Sequence, residues 1–400
     1  MGVIVEALLD RDFGDTLHEG LAVARAAGDT AIETESGAVV VLTYREVERL
    51  AHDPRVAGVG LSFFDFMGIA DGELRRWYAS LMFTNEGDPH HRLRRLVSRA
   101  FTPRSVERHR ALARDLVTTR LDALRERGSG DLVSALADVP ITVICRLLGV
   151  PDDEVANFRK YGDDLSPVFG FMEPEQIATA ERAVVALMAD VGRMVSERSN
   201  DGGDDLMSAL LAVEDAGERL TREELVTIVG NLIVGGHDTT ASQVGCSLLT
   251  VLRHPDVLAD MQAGAATVSD VVSETIRFEP SLTVVPRTLL EPVDIGGMER
   301  PAGSMVFLST AAANRDATVW DQPSDVQAAR FGRPNTPKLL SFGSGAHYCL
   351  GAALARMTLE EVITGYARVA SDLTPTAELD TVEWRVVLGR SPAALPMQSA

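Results

Sequence analysis

The sequence predicts a mainly α chain with small β sheets, folded as a single domain over residues 1–400. Three observations carry that expectation. Apolar residues recur at helical spacing, as in Leu112, Leu116, Leu121 and Leu124, and in Leu225, Ile228, Val229, Leu232 and Ile233. Helix-start signals open both runs: Thr102-Pro103 before the first, and the capping box Thr221-Arg222-Glu223-Glu224 before the second. Strand-like runs, by contrast, are few and short.

Taken in order, 17–27 reads as a helix stopped at Gly28, and 31–33 with 38–42 as a hairpin across a Ser-Gly turn. Residues 44–51 form a short helix ended by Asp53-Pro54. The stretch 61–72 reads as a loop whose aromatics, Phe63, Phe64 and Phe66, either line a pocket or tuck onto the core beneath. The helix opened at Thr102-Pro103 runs to Gly128, and further helices follow at 131–149, 152–165 and 173–198. Residues 199–205 make a flexible connector, too short for a domain boundary. After the long helix from 221 come helices from 254 and through 274–277, then an extended run at 281–287. A hairpin of 293–295 with 305–308, a helix from 351 to 370 and a last small sheet from 384–388 and 395–397 complete the chain.

Composition narrows the function. With 46% hydrophobic and 24% charged residues the chain is ordinary globular material with enough apolar residues for a large core. A net charge of -20 argues against nucleic acid and against an anionic membrane surface as partners. Three scattered cysteines, Cys145, Cys246 and Cys349, fit a reducing compartment and do not cluster as zinc ligands would. Residues 1–10 carry charges too early for a signal peptide, and no apolar run reaches the ~18 residues that span a bilayer. A cytoplasmic location is expected.

Chemistry concentrates at Ser341-Phe342-Gly343-Ser344-Gly345-Ala346-His347-Tyr348-Cys349-Leu350-Gly351. Glycines at 343, 345 and 351 suit a tight loop with positive φ and a close backbone approach to a ligand. Cys349 stands at the mouth of a helix, where unpaired amides favour thiolate over thiol. A buried structural cysteine or a phosphate loop would be blander readings, but no Gly-Lys-Ser/Thr follows.

This run resembles the Phe-Gly-x-Gly-x-His-x-Cys-x-Gly signature of the cytochrome P450 haem-thiolate monooxygenases. The resemblance implies the cytochrome P450 fold, with haem b as cofactor, Cys349 as the iron ligand, and Phe342, Gly343, His347 and Gly351 as cofactor contacts. It covers most of the chain, densely from 220 to 360 and diffusely before 85.

In the long helix, Gly235-Gly236-His237-Asp238-Thr239-Thr240 places poor helix formers in an interior, at roughly 1 kcal/mol per glycine against alanine. Thr239 lies four residues after Gly235, so its hydroxyl can bond that carbonyl and bend the helix. The run is similar to the family's Ala/Gly-Gly-x-Asp/Glu-Thr motif. That likeness implies that Gly235 and Gly236 border the haem, that Thr239 handles dioxygen, and that Asp238 relays protons. His237 is read as a neighbour.

His90 and Arg94 share a helical face that could clasp an anion. They resemble the family's propionate-binding pair, and by the same resemblance Arg287 and His347 map to further propionate contacts. Arg92 and Arg95 read as a solvated basic face, continued by Arg99, Arg104 and Arg108. Glu274 and Arg277 form an i, i+3 pair like the family's Glu-x-x-Arg, completed by Arg330 or Arg333; Gln327 departs from the usual acid. The absence of proline before Pro54 is another departure, at the substrate entrance.

By resemblance Phe63, Phe64, Leu232, Thr283, Val284 and Val285 would face a lipophilic small-molecule substrate. The family further implies O2 as co-substrate and electrons from a ferredoxin and ferredoxin reductase with NAD(P)H. Two rivals stand beside this reading. One is a peroxygenase or rearrangement enzyme on the same fold, and the other is a non-catalytic P450-like module that recruits a carrier protein. The retained Cys349, Asp238 and Thr239 speak against both.

Overall fold

A computed structural model describes residues 17–399 except 34–36, 171, 199–202, 216 and 387. The N-terminal residues 1–10 and most of the expected connector lie outside the described residues. Among those described, helices dominate and the sheets are small. The largest sheet contains β1 (Ala31–Glu33), β2 (Val39–Val41), β3 (Val56–Gly58), β4 (Val284–Leu289) and β5 (Met305–Ser309), in the order β1-β2-β5-β4-β3. The β1–β2 hairpin is as expected. Only the β2–β5 pairing is parallel.

Two strand pairings differ from expectation. Val293–Ile295 pairs with Met298–Arg300, not with 305–308. The reason is the two-residue Gly296-Gly297 turn, whose φ values of 63° and 83° close the tightest hairpin on the spot. That releases β5 to pair with β4, Val306 opposite Arg287. Likewise Trp384–Val386 pairs with Arg390–Pro392, whereas Pro396–Ser399 pairs with Leu373–Pro375 and Ser129–Asp131. The helix expected from 102 to 128 is also two, Pro103–Glu107 and Arg110–Glu126.

Five helices frame the site: α1 (Gly87–Ala100), α2 (Val155–Leu165), α3 (Arg222–Arg253), α4 (Val268–Phe278) and α5 (Ala352–Val369). Helix α3 is the axis. Its apolar residues face nearly every direction, because α2, α4, α5, Val139–Leu148, Pro174–Glu197 and Arg390–Pro392 all pack against it. The capping box at Thr221 and Glu224 forms in both directions. Helix α3 continues as helix without a break through 235–240.

Helix α4 carries Glu274 and Arg277, both with no exposed surface. Arg277 Nε and Nη2 donate to the two Glu274 oxygens at 2.7 and 2.8 Å, and Arg330 Nε donates to Oε1 at 3.2 Å. Arg330, not Arg333, therefore completes the triad. Gln327 joins through its backbone amide, 2.7 Å from Oε1, so an acidic side chain there is dispensable.

A second buried cluster ties the first described helix, Leu17–Ala26, to the C-terminal hairpin. His18 Nε2 lies 2.9 Å from Glu279 Oε1, which also accepts from Arg390 Nη1. Burial and the Arg315 charge depress the His18 pKa from 6.5 to about 4, against the pull of Glu279. The unfolded chain therefore binds this proton more readily than the folded one. Stability from His18 is complete above pH 6.5 and fades as pH falls toward about 4, by on the order of 3 kcal/mol. His18→Gln is expected to flatten the difference in urea stability between pH about 7 and about 5. An unchanged difference would contradict the assignment.

Candidate functional site

The loop 341–351 is closed by Gly343 N to Leu340 O and Cys349 N to Phe342 O, each 2.8 Å. Gly343 and Gly345 take φ of 72° and 71°. A side chain at Gly345 would place Cβ 2.3 Å from the carbonyl oxygen of Ala51, so the loop is pinned against helix Tyr44–His52. Gly351 does not need positive φ; its φ is -79°, correcting the expectation for that glycine. The loop then feeds α5.

Cys349 is exposed, yet its surroundings are those of an interior cleft: burial pushes its thiol pKa up. The amides of Gly351 and Ala352 and the charge of Arg94 pull the other way and do not prevail. The amides at the helix mouth thus favour the thiolate, as expected, and burial outweighs them. A metal bound to this sulfur would tip the balance, since a coordinating thiol is deprotonated.

Of the four expected propionate contacts, two offer spare donors. Arg94 on α1 is half-buried, with its pKa lowered by burial and raised by Cys349 and Tyr348; it has no carboxylate partner among the described residues. Arg287 on β4 is buried, and its Nη1 donates to the carbonyl of its neighbour Pro286 at 2.9 Å. Burial lowers its pKa and Glu86 opposes. Guanidinium groups are rarely held this way without an anion.

The two histidines are placed otherwise. His90 is buried with Nδ1 2.9 Å from Met82 O and Nε2 3.2 Å from Ala346 O, so it braces α1 against the cysteine loop. His347 Nε2 faces both Glu86 oxygens at 3.0 Å, and its ring lies 4.2 Å from that of His90. Burial pushes the Glu86 carboxyl up, but His347, the Gly58 amide and His90 together hold it below the usual range.

On α3, Gly235 is exposed although the helix is mostly buried, and a Cβ there would meet nothing within 4 Å. At 100° per residue Leu232, Gly235 and Thr239 share that open face, and His237 points away from it. Thr239 Oγ1 donates to Gly235 O at 2.9 Å, as expected. Gly236 faces Ile144 instead, 3.7 Å from its Cβ position. Asp238 is buried on the flank of the open face, its Oδ2 accepting from the amides of Leu388 and Gly389 at 3.2 and 3.0 Å. Its Oδ1 lies 3.6 Å from Arg385 Nη2. Nothing in the sequence near 385–389 signalled these partners.

Leu232, Thr283, Val284 and Val285 are partly buried. The 61–72 segment is not the expected loop: Ser62–Phe66 is helical, Phe63 and Phe64 are 4% and 0% exposed, and Phe64 packs 4.5 Å from the Tyr78 ring. In this conformation neither ring offers surface to a ligand. Phe66 is the exposed one. On the basic face of α1, Arg95 is exposed as expected and pairs with Glu218 at 3.3 Å, while half-buried Arg92 pairs with Glu224 at 2.7 Å. Among the described residues no helix is long and apolar enough to cross a membrane.

The thiol-bearing loop with Arg94 beside its sulfur, and a helix packed all round except for one open glycine face, are what a haem-thiolate protein needs. The comparisons with known proteins agree. The family described as Cytochrome P450 matches residues 61–269 and 266–365. Nocardicin C N-oxygenase of Nocardia uniformis subsp. tsuyamanensis is 36% identical over 324 residues, covering 80% of this chain and 79% of that one. Cytochrome P450 107B1 of Saccharopolyspora erythraea is 32% identical over 401 residues, covering 97% and 96%. The crystal structure of CalO2 superposes with a TM-score of 0.89 at 26% identity, covering 98% of both chains. The chain belongs to the cytochrome P450 family. It is a P450 monooxygenase with a haem-thiolate cofactor.

Proposed function

We propose that this enzyme inserts one oxygen atom of O2 into a lipophilic natural-product intermediate, by hydroxylation or epoxidation. It uses haem b and electrons delivered through a ferredoxin and its NAD(P)H-dependent reductase, as a cytoplasmic enzyme of one domain. The observation that carries the reading is the exposed Gly235 face with Thr239 and Asp238 beside it, on the same chain as the amide-directed Cys349 sulfur. The relatives point the same way in substrate chemistry. Besides the nocardicin enzyme, 6-deoxyerythronolide B hydroxylase of Saccharopolyspora erythraea is 33% identical, covering 84% of this chain and 82% of that one.

When bound, the haem supplies the oxygen-activating chemistry. The protein's part is positional. Cys349 would hold the iron, and Arg94 and Arg287 would hold the propionates with their spare donors. His90 and His347 act one step back, fixing α1, Glu86 and the loop. Gly235 would border the cofactor while Gly236 packs toward Ile144, Thr239 keeps a hydroxyl at the open face, and Asp238 delivers protons there. Leu232, Thr283, Val284 and Val285 present partly buried surface to the substrate. Exposed Arg104 and Arg108 offer an acidic ferredoxin a docking patch on this acidic protein.

Turnover with ferredoxin, reductase and NAD(P)H tests the reading. Product formation that stops when the ferredoxin is omitted is expected. Turnover with peroxide alone, and none with the electron-transfer partners, would favour the peroxygenase reading instead.

A further inference from the structure

Glu86 stands at the N-cap position of α1, where a short acid would bond the first free amides of the helix, yet its side chain makes no such bond. The longer side chain turns its carboxylate back to the edge of the site instead. Oε1 accepts from the Gly58 amide of β3 at 2.7 Å, and His347 Nε2 faces both oxygens at 3.0 Å. A carboxylate only accepts, so the His347 proton sits on Nε2 and is committed to Glu86.

The surrounding backbone and rings hold this arrangement in place. Gly58 lies opposite Arg287 in the β3–β4 register, and a Cβ there would stand 3.0 Å from Phe83 O and 3.5 Å from Glu86 Oε1. A side chain at 58 would therefore crowd the carboxylate. His347 is 14% exposed, and its ring lies 4.2 Å from that of buried His90, which is itself fixed by Met82 O and Ala346 O. The Glu86 charge also acts on Arg287. A carboxylate of the chain thus sits among the cationic and donor groups that line this edge.

We propose that Glu86 withholds His347 from the cofactor: a protein carboxylate takes the imidazole donor, and the haem carboxylate on that edge is left to Arg287. The haem is then held less tightly than the residues around it would allow. The added fixed negative charge also opposes uptake of an electron, so the bound iron is harder to reduce. Glu86 is a positioning residue, acting through His347. The inference rests on Arg94 and Arg287 holding the haem carboxylates.

The test follows haem transfer from the intact holoenzyme to excess apomyoglobin, with the midpoint potential and the resonance Raman bands of the haem carboxylates read alongside. Arg94→Gln and Arg287→Gln should each speed haem loss by about tenfold or more, as for a lost hydrogen bond to a charged group. If neither does, the carboxylate-binding reading itself falls. With that effect in place, Glu86→Ala should slow haem loss by roughly three- to tenfold, since His347 then donates to the haem. The potential should rise and the carboxylate bands should shift. Glu86→Gln, whose side-chain carbonyl keeps the Gly58 bond, should slow loss by about twofold and serves if the alanine variant folds poorly. In a His347→Ala background, Glu86→Ala should change the rate by less than about 1.5-fold, because the two residues act as one pair. Equal slowing in both backgrounds, or a faster or unchanged rate in Glu86→Ala, overturns the inference while leaving the arginine contacts standing. An unmoved carboxylate band contradicts the release of His347.

Discussion

Replacing Cys349 with alanine is expected to abolish turnover and thiolate-type spectra together, while the protein still folds. The side chain contributes little to the core, since Cys349 is exposed. What it contributes is a sulfur to which the Gly351 and Ala352 amides and Arg94 are directed. No other thiol can substitute. Cys145 and Cys246 have no exposed surface, and burial pushes the Cys145 thiol up to about 12 and the Cys246 thiol higher still. Alanine at 145 or 246 should therefore leave the spectrum intact. A Cys349→Ala enzyme that kept wild-type turnover would remove the basis for the site.

The second large effect is on stability. Glu274→Gln should cost about 3–5 kcal/mol, because it strips from two buried guanidinium groups the one carboxylate that pairs with them among the described residues. Arg277 has no exposed surface and Arg330 is 4% exposed. Arg277 additionally donates to the carbonyls of Asn314, Pro323 and Asp325, and Arg330 to those of Asp321 and Gln322. The triad therefore clamps α4 to the segment that leads into the cysteine loop. Against a total stability of about 5–15 kcal/mol, the variant should lose haem on mild heating and unfold at much lower urea. A loss under about 1 kcal/mol would mean that water or rearrangement rescues the arginines.

Much of this was legible in the sequence because the chemistry is local. The glycines of the cysteine loop, the Thr239-to-Gly235 bond and the Glu274–Arg277 pair depend on spacing along one loop or helix turn, and the structure has them. Contacts across elements were not legible. Nothing in residues 384–390 marks a turn that feeds two amides to Asp238, because backbone donors have no sequence signature. By its position His347 reads as a contact to an anionic propionate, and its Glu86 partner sits on a segment that no local rule connects to it. Phe63 and Phe64 read as loop aromatics, since a five-residue helix is below what periodicity can resolve. The choice between Arg330 and Arg333 needed the fold of Ala328–Gly332, which turns Arg330 inward.

One spectrum bears most directly on the whole account. The purified protein, expressed with ample haem supply, should be coloured, and its dithionite-reduced form under carbon monoxide should show a strongly red-shifted Soret band. A colourless protein, or a reduced carbon monoxide band without that shift, would contradict sulfur ligation by Cys349.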